Sequence, residues 1–235
     1  SEQQKITSIL NTMDKLIENI EKQINKLQNL KKATMNELLS QGIGKNDISD
    51  NEFGQIPKNS DMKDCSTNWS VETLSDISHR IIDGTHFSPK SKNGNNLYLT
   101  AKNIKDGKIK LDEISLISDE EHEVIYSRCD VKKGDILFTK DGTVGEVAIN
   151  TLEDEFSLLS SVAVLKINNK SCLTQYVYQW LRSSIFQEII KKRLIGTALS
   201  RLTLEKINEL PISFPPLSEQ QKITSILNTM DKLIE

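Results

Sequence analysis

Residues 1–41 read SEQQKITSILNTMDKLIENIEKQINKLQNLKKATMNELLSQ, with no proline or glycine before Gly42. Ile6, Met13, Ile20 and Leu27 recur every seven positions, flanked by Ile9, Leu16 and Leu30 and by Leu10, Ile17, Ile24 and Leu38. A seven-residue apolar period keeps one stripe turned toward a partner helix. The stretch predicts one helix over 2–41, a rod about 60 Å long at ~1.5 Å per residue. A core helix of an ordinary domain is the alternative; length and sustained heptads favour a coiled coil, with Ile6, Met13, Ile20 and Leu27 as the pairing positions.

The opening eighteen residues return letter for letter at 218–235, a spacing of 217 residues (218 minus 1). Convergence on a heptad would restore the apolar positions but not every polar one. The spacing far exceeds the about 20–50 residues of solenoid repeats. The chain reads as one full repeat and the start of a second, and is expected to be an excerpt or a processed form. Ser218 and Gln221 have capping-box spacing just after Pro215-Pro216, so a second helix is expected over 217–235.

Between the two copies the character changes twice. Residues 42–68 are polar and rich in Gly, Asn, Asp and Ser, which predicts a connection. Residues 69–216 alternate strand-like and helix-like runs. Strands are expected in Asn96–Ile104, Asp135–Lys140, Val144–Asn150, Ser160–Ile167 and Leu210–Phe214. Helical packing is expected near 174–194 and in Thr203–Glu209, and Ser118 with Glu121 caps a short acidic helix. The expected fold class is α+β: one mixed α/β domain carried between long coiled-coil-forming helices.

Composition narrows the function classes. Of 235 residues 37% are hydrophobic and 27% charged, and the net charge is -3, which neither demands nor excludes a nucleic-acid partner. No apolar run approaches the ~20 residues a bilayer needs, and the polar opening residues do not read as a secretory signal. Cys65, Cys129 and Cys172 lie far apart without a CxxC pair, which argues against a disulfide framework and fits a reducing cytoplasm.

Catalytic motifs are absent from the sequence. It holds no GxGxxG, GxxxxGK[ST] or GxSxG, and no Asn/Asp-Pro-Pro-aromatic tetrapeptide. His79, His86 and His122 do not pair with each other or with cysteines at ligand spacing, so neither a metal nor another cofactor is expected. Asp119, Glu120, Glu121 and Glu123 read as a solvated helix face.

Local charge is less even than total charge. Residues 80–110 carry seven basic side chains against two acidic ones, a local +5, and 182–206 carry six against two, a local +4. Basic faces with acids turned elsewhere suit phosphate contact, although solvated loops would look the same.

Four segments make the pattern more specific: LPISFPPLSEQQKITSILNTMD at 210–231, VKKGDILFTKDGTVGEVAI at 131–149, IIDGTHFSPK at 81–90 and GTALSRLTLEKINEL at 196–210. In this order, with the duplication, the chain resembles a specificity subunit of type I restriction–modification systems. The resemblance implies a non-catalytic, sequence-specific binder of double-stranded DNA. It implies a target-recognition domain at 69–216 and conserved helices that pair antiparallel and hold two such domains apart on a bipartite target. It also implies methyltransferase subunits and a restriction/translocase subunit as partners. A chain with one such domain would be a circularly shifted half-subunit or a fragment, expected as a two-fold homodimer. The alternatives are a coiled-coil scaffold whose globular domain binds protein, and a fragment of a fused restriction enzyme. Expected DNA contacts are Thr85, His86 and Lys90 in a Gly/Pro loop, Lys102 and Asn103 after a strand, Lys140 and Thr143 at the Gly142 turn, and Lys191, Lys192, Arg193 and Arg201.

Overall fold

The computed structural model describes residues 1–42, 69–91, 94–168, 170–194 and 201–234. The connection expected at 42–68 lies outside them except for Gly42, as do Cys65, Lys92 and residues 196–200, which open the segment GTALSRLTLEKINEL.

The first helix, α1 (Glu2–Gln41), is unbroken. It ends where Gly42 takes a φ of +77°, open to a residue without a Cβ, and the Gly42 N–H donates to Leu38 O at 3.1 Å. Strand β1 (Ser70–Thr73) then pairs antiparallel with β11 (Pro211–Phe214), Ser70 opposite Phe214. This short ribbon clamps the entry and exit of the globular unit side by side. It explains why the helices before and after that unit emerge together.

The centre is a four-stranded antiparallel sheet in the order β2 (Ser78–Asp83), β10 (Val162–Ile167), β7 (Ile136–Thr139), β8 (Val147–Ile149). All six residues of β10 are buried, as expected for a strand covered on both faces. Ala163, Leu165 and Ile167 point into one core with Phe138, Tyr176, Trp180 and Phe186; Val162 and Val164 point into another with Leu99, Leu137 and Phe156. Lys166 would bury a charge in that alternation, and Asp135 meets its ammonium at 2.7 Å. A smaller sheet joins β3 (Asn96–Leu99) to β6 (Ser115–Ile117) and β9 (Ser157–Leu158), and β4 (Ile104–Lys105) turns into β5 (Lys108–Ile109) through Asp106-Gly107, both at positive φ.

Three sequence expectations change. The run Asn96–Ile104 is two strands, because Thr100 and Asn103 cap a 3-10 turn between them. The helical stretch 174–194 is α4 (Thr174–Arg182) and α5 (Ser184–Leu194), broken at Ser183. The Ser183 hydroxyl donates to Trp180 O at 2.7 Å and accepts from Phe186 N at 3.1 Å, closing one helix and opening the next. The last helix, α7 (Leu217–Ile234), begins one residue before Ser218. The Pro216 carbonyl accepts from the N–H groups of Glu219 and Gln220, so Ser218 is not the cap. Three short helices stand behind capping residues: α2 (Leu74–Ile77) behind Thr73, α3 (Asp119–Arg128) behind Ser118, the cap that the sequence marks, and α6 (Leu204–Asn208) behind Thr203. Among the described residues no helix is long and apolar enough to cross a membrane.

α7 lies in a groove between α1 and the globular unit. Gln220 is buried; it accepts from Leu173 N at 2.9 Å and donates to Pro215 O at 2.9 Å. Asp231 accepts from Lys31 and, at 3.0 Å, from Gln179. Burial pushes the Asp231 carboxyl up, but hydrogen bonds from Lys31 and Gln179 and the charges of Lys31 and Arg182 outweigh it, and its pKa falls below the usual range. A carboxyl depressed by folding stabilises above its unfolded pKa, and that stability is lost as pH falls through the folded one. Acidification below the ordinary aspartate pKa of about 3.9 should therefore loosen α7. Trp69, whose indole N–H donates to Glu219 at 3.0 Å, reports it by fluorescence. Emission unchanged across the acid range would mean that Asp231 contributes nothing to docking.

Candidate nucleic-acid interface

The structure gathers Thr85, His86, Lys140, Thr143 and Arg201 at one end of the central sheet, where β2 and β7 finish and β10 begins. Thr85 bridges to Leu159, Ser160 N donates to Thr85 O, and Lys140 N donates to Ser161 O. Leu202 N donates to Lys140 O, which brings Arg201 beside Asp141, 3.4 Å away. A Cβ at Gly84 would sit 2.0 Å from Leu158 O, so only glycine lets the end of β2 approach this closely.

Asp83 is the hub. Its carboxylate, 5% exposed, meets the Lys140 ammonium, 2% exposed, at 3.2 Å. His86 Nε2 stands 3.5 Å from it, and an Arg128 guanidinium nitrogen 3.8 Å, both from exposed positions. A lysine, an arginine and a histidine around one acid leave this sheet end rich in basic groups. Phe87, exposed beside His86, adds a flat apolar surface. Arg128 and His86 can donate to phosphate or to base edges, and an exposed ring can stack.

Burial divides the expected contact set. Thr85, Asn103 and Lys140 are turned inward. Thr85 Oγ1 accepts from Phe87 N, Asn103 donates to Lys110 O and Glu113 O, and Lys140 neutralises Asp83. Their short or hidden side chains shape the loops that carry other groups. Arg128 and Phe87 were not expected. Phe87 had a signal, an apolar ring inside a Gly/Ser/Pro loop; Arg128 had none beyond its place in the last turn of an acidic helix.

The other basic residues form separate surfaces. Lys102 and Lys105 are exposed around the β4–β5 hairpin, beside Tyr178, whose hydroxyl donates to Gly107 O. Lys90 is exposed on a loop whose backbone is pinned by Glu121, which accepts from Lys90 N at 2.7 Å and from the Ser91 hydroxyl. These hydrogen bonds, the one from Ser91 first, hold the Glu121 carboxyl below its usual range. One member of the acidic cluster is thus a loop anchor. Lys191, Lys192 and Arg193 end α5, with Lys191 paired to Glu188 at 2.5 Å and Arg193 to Glu209 at 3.5 Å.

Other chemistry finds little footing. Burial pushes the Cys129 and Cys172 thiols up to about 12, the reverse of a nucleophile or metal ligand. Among the described residues no group of His, Cys, Asp and Glu could hold a metal ion.

The second surface is the open part of α1. Ile6 and Leu10 are 51% and 56% exposed, whereas their second-copy counterparts Ile223 and Leu227 are fully buried. Met13 and Ile20 are exposed with them, and Leu27 is half-buried. One sequence therefore occupies two environments within one chain.

Comparison with known proteins places these features. The family described as type I restriction modification DNA specificity domain matches residues 66–235. The chain is similar to the MjaVIII specificity subunit of Methanocaldococcus jannaschii, 28% identical over 242 residues that cover 100% of this chain and 54% of that protein. It is 27% identical to the EcoBI specificity subunit of Escherichia coli over 120 residues, 51% of this chain and 25% of that one. The solved S subunit of a type I restriction–modification system from M. genitalium shares the fold, with a TM-score of 0.63 at 15% identity over 97% of this chain and 53% of that one. The chain spans about half the length of the relative it matches throughout.

Proposed function

The chain belongs to the type I restriction modification DNA specificity domain family, and from that membership we propose that it is the sequence-reading, non-catalytic component of a cytoplasmic restriction–modification complex. Its globular unit reads one half of a bipartite target in double-stranded DNA. Its helices dock methyltransferase subunits, and a restriction/translocase subunit joins the assembly. The observation that carries this reading is the span of the family match, which takes in the whole described globular unit and α7. The gathering of His86, Phe87 and Arg128 around Asp83 supports it with groups suited to base edges. The exposed stripe of α1 favours a two-fold homodimer, which would set two identical units on a palindromic, gapped target.

Binding to duplex DNA tests the reading, because phosphate contacts give log K a slope of about -0.9 per neutralised charge against log salt. Alanine at Lys191, Lys192 and Arg193 should weaken binding about equally for different sequences and flatten the salt slope, since phosphate contacts position without reading bases. Arg128→Ala should instead change which sequences are preferred. A triple variant with unchanged affinity and slope would put the α5 patch away from DNA. A chain with no salt-dependent affinity for any duplex would favour the protein-binding scaffold.

A further inference from the structure

The helix pair carries a register. Lys31 donates to Asp231, Met35 and Leu39 share one core with Leu227 and Ile223, and Gly42 lies beside Glu219. α1 and α7 therefore run antiparallel. Asp231, Leu227 and Ile223 are the second-copy counterparts of Asp14, Leu10 and Ile6. In first-copy numbers the meeting positions are Lys31 with Asp14, Met35 with Leu10 and Leu39 with Ile6. Carried inward, the same register sets Leu27 level with Glu18, one residue from Ile17, and Ile24 level with Glu21, one residue from Ile20. The two halves of α1 are each other's partners, which is what two-fold pairing of identical helices requires.

This register has a consequence for association. A second α1 laid on the first in that register would place its residues 1–14 where 218–231 now sit. The segments are chemically identical, so the groove can hold only one. Resting on the homodimer reading above, we propose that residues 1–18 of a second copy compete with 218–235 of the same chain for the groove along Lys31–Leu39, and that two copies associate by exchange. The internal segment has the advantage of a tether, through β11 and Pro215-Pro216, that raises its effective concentration. The incoming helix would also cover Ile17 and Ile20, which stand exposed beside the groove.

One substitution at two identical sequence positions separates the routes. Asp14→Lys removes only the partner that Lys31 would find in a second copy. It should weaken dimerisation of the 235-residue chain about tenfold, read by sedimentation equilibrium. Asp231→Lys removes only the internal partner, and should strengthen dimerisation by about the same factor. Shifts of one sign, or no shift in either variant, overturn the exchange and leave a homodimer, if seen, to another surface. A wild-type chain that stays monomeric at roughly tens of micromolar while Asp231→Lys dimerises supports the exchange and overturns the homodimer as the resting state. If Asp231→Lys does not fold, Leu10→Cys with Met35→Cys in a Cys65→Ser background replaces it. Mild oxidation should then trap a covalent dimer, and monomer alone overturns the proposal.

Discussion

Replacing Lys140 with alanine should destabilise the fold by about 3–5 kcal/mol, the cost of leaving a buried charge without its partner. Lys140 and Asp83 are nearly inaccessible and meet at 3.2 Å between the ends of β7 and β2. His86 and Arg128 also face Asp83, but from exposed positions and at 3.5 and 3.8 Å, so water screens what they contribute. The double variant Lys140→Met with Asp83→Leu should recover most of the loss, because it removes both desolvated charges and keeps the volume. Denaturant midpoints of the two variants and the wild type decide this. A cost below about 1 kcal/mol for Lys140→Ala would mean that the pair is solvated. On the proposed DNA-reading role, the double variant should still lose sequence preference, since His86 and Arg128 would no longer face a fixed carboxylate.

Lys140 also shows what charge counting cannot read. In the sequence it is one more cation beside a Gly-Thr turn. Its partner Asp83 lies in another segment, and only the order of strands β2, β10 and β7 brings the two together. Asn103 and Thr85 raise the same difficulty, since a polar side chain in a loop looks identical whether it caps a turn or meets a ligand. Strand β10 and helices α3 and α6 were legible, because burial on both faces and capping residues leave local marks. The break at Ser183 was legible in principle, as Ser183-Ser184 is an N-cap signal, but the apolar spacing on both sides hid it. At Ser218 the local rule misled: the capping-box spacing is present, yet the preceding Pro216 carbonyl starts the helix one residue earlier.

The duplication was the plainest feature of the sequence, yet the sequence does not say that its two copies differ in environment. The difference arises because β1 pairs with β11, which sets the start of α7 beside the end of α1. From there Gln220, Ile223, Thr224 and Leu227 enter the groove, while Gln3, Ile6, Thr7 and Leu10 stay in solvent. Local propensity is identical for the two copies, so any difference in their response to substitution is purely tertiary.

That equality makes a paired prediction unusually clean. Leu227→Ala should destabilise the fold by about 2–5 kcal/mol, the range for deleting a buried leucine side chain and leaving a cavity. Leu10→Ala, the same change in the same eighteen-residue sequence, should fall within about 0.5 kcal/mol of wild type, as surface substitutions do. Helix propensity cancels between the two, because leucine is replaced by alanine in one local context. Leu227 shares its core with Met35, Leu39, Tyr176 and Trp180, and Gln220 hydrogen-bonds the loop before α4, so loss of α7 packing should reach the globular unit. If α7 instead detaches locally, the cost appears as a Trp69 emission change at low denaturant, ahead of the main transition. The measurement belongs at dilute, submicromolar concentration (about 0.5 µM), where mass action keeps a weak dimer apart. Equal costs for Leu10→Ala and Leu227→Ala would show that both copies are covered, and that α1 is not the open helix described here. Small costs for both would show that α7 does not hold its groove, and the register drawn from Lys31 and Asp231 would fall with it.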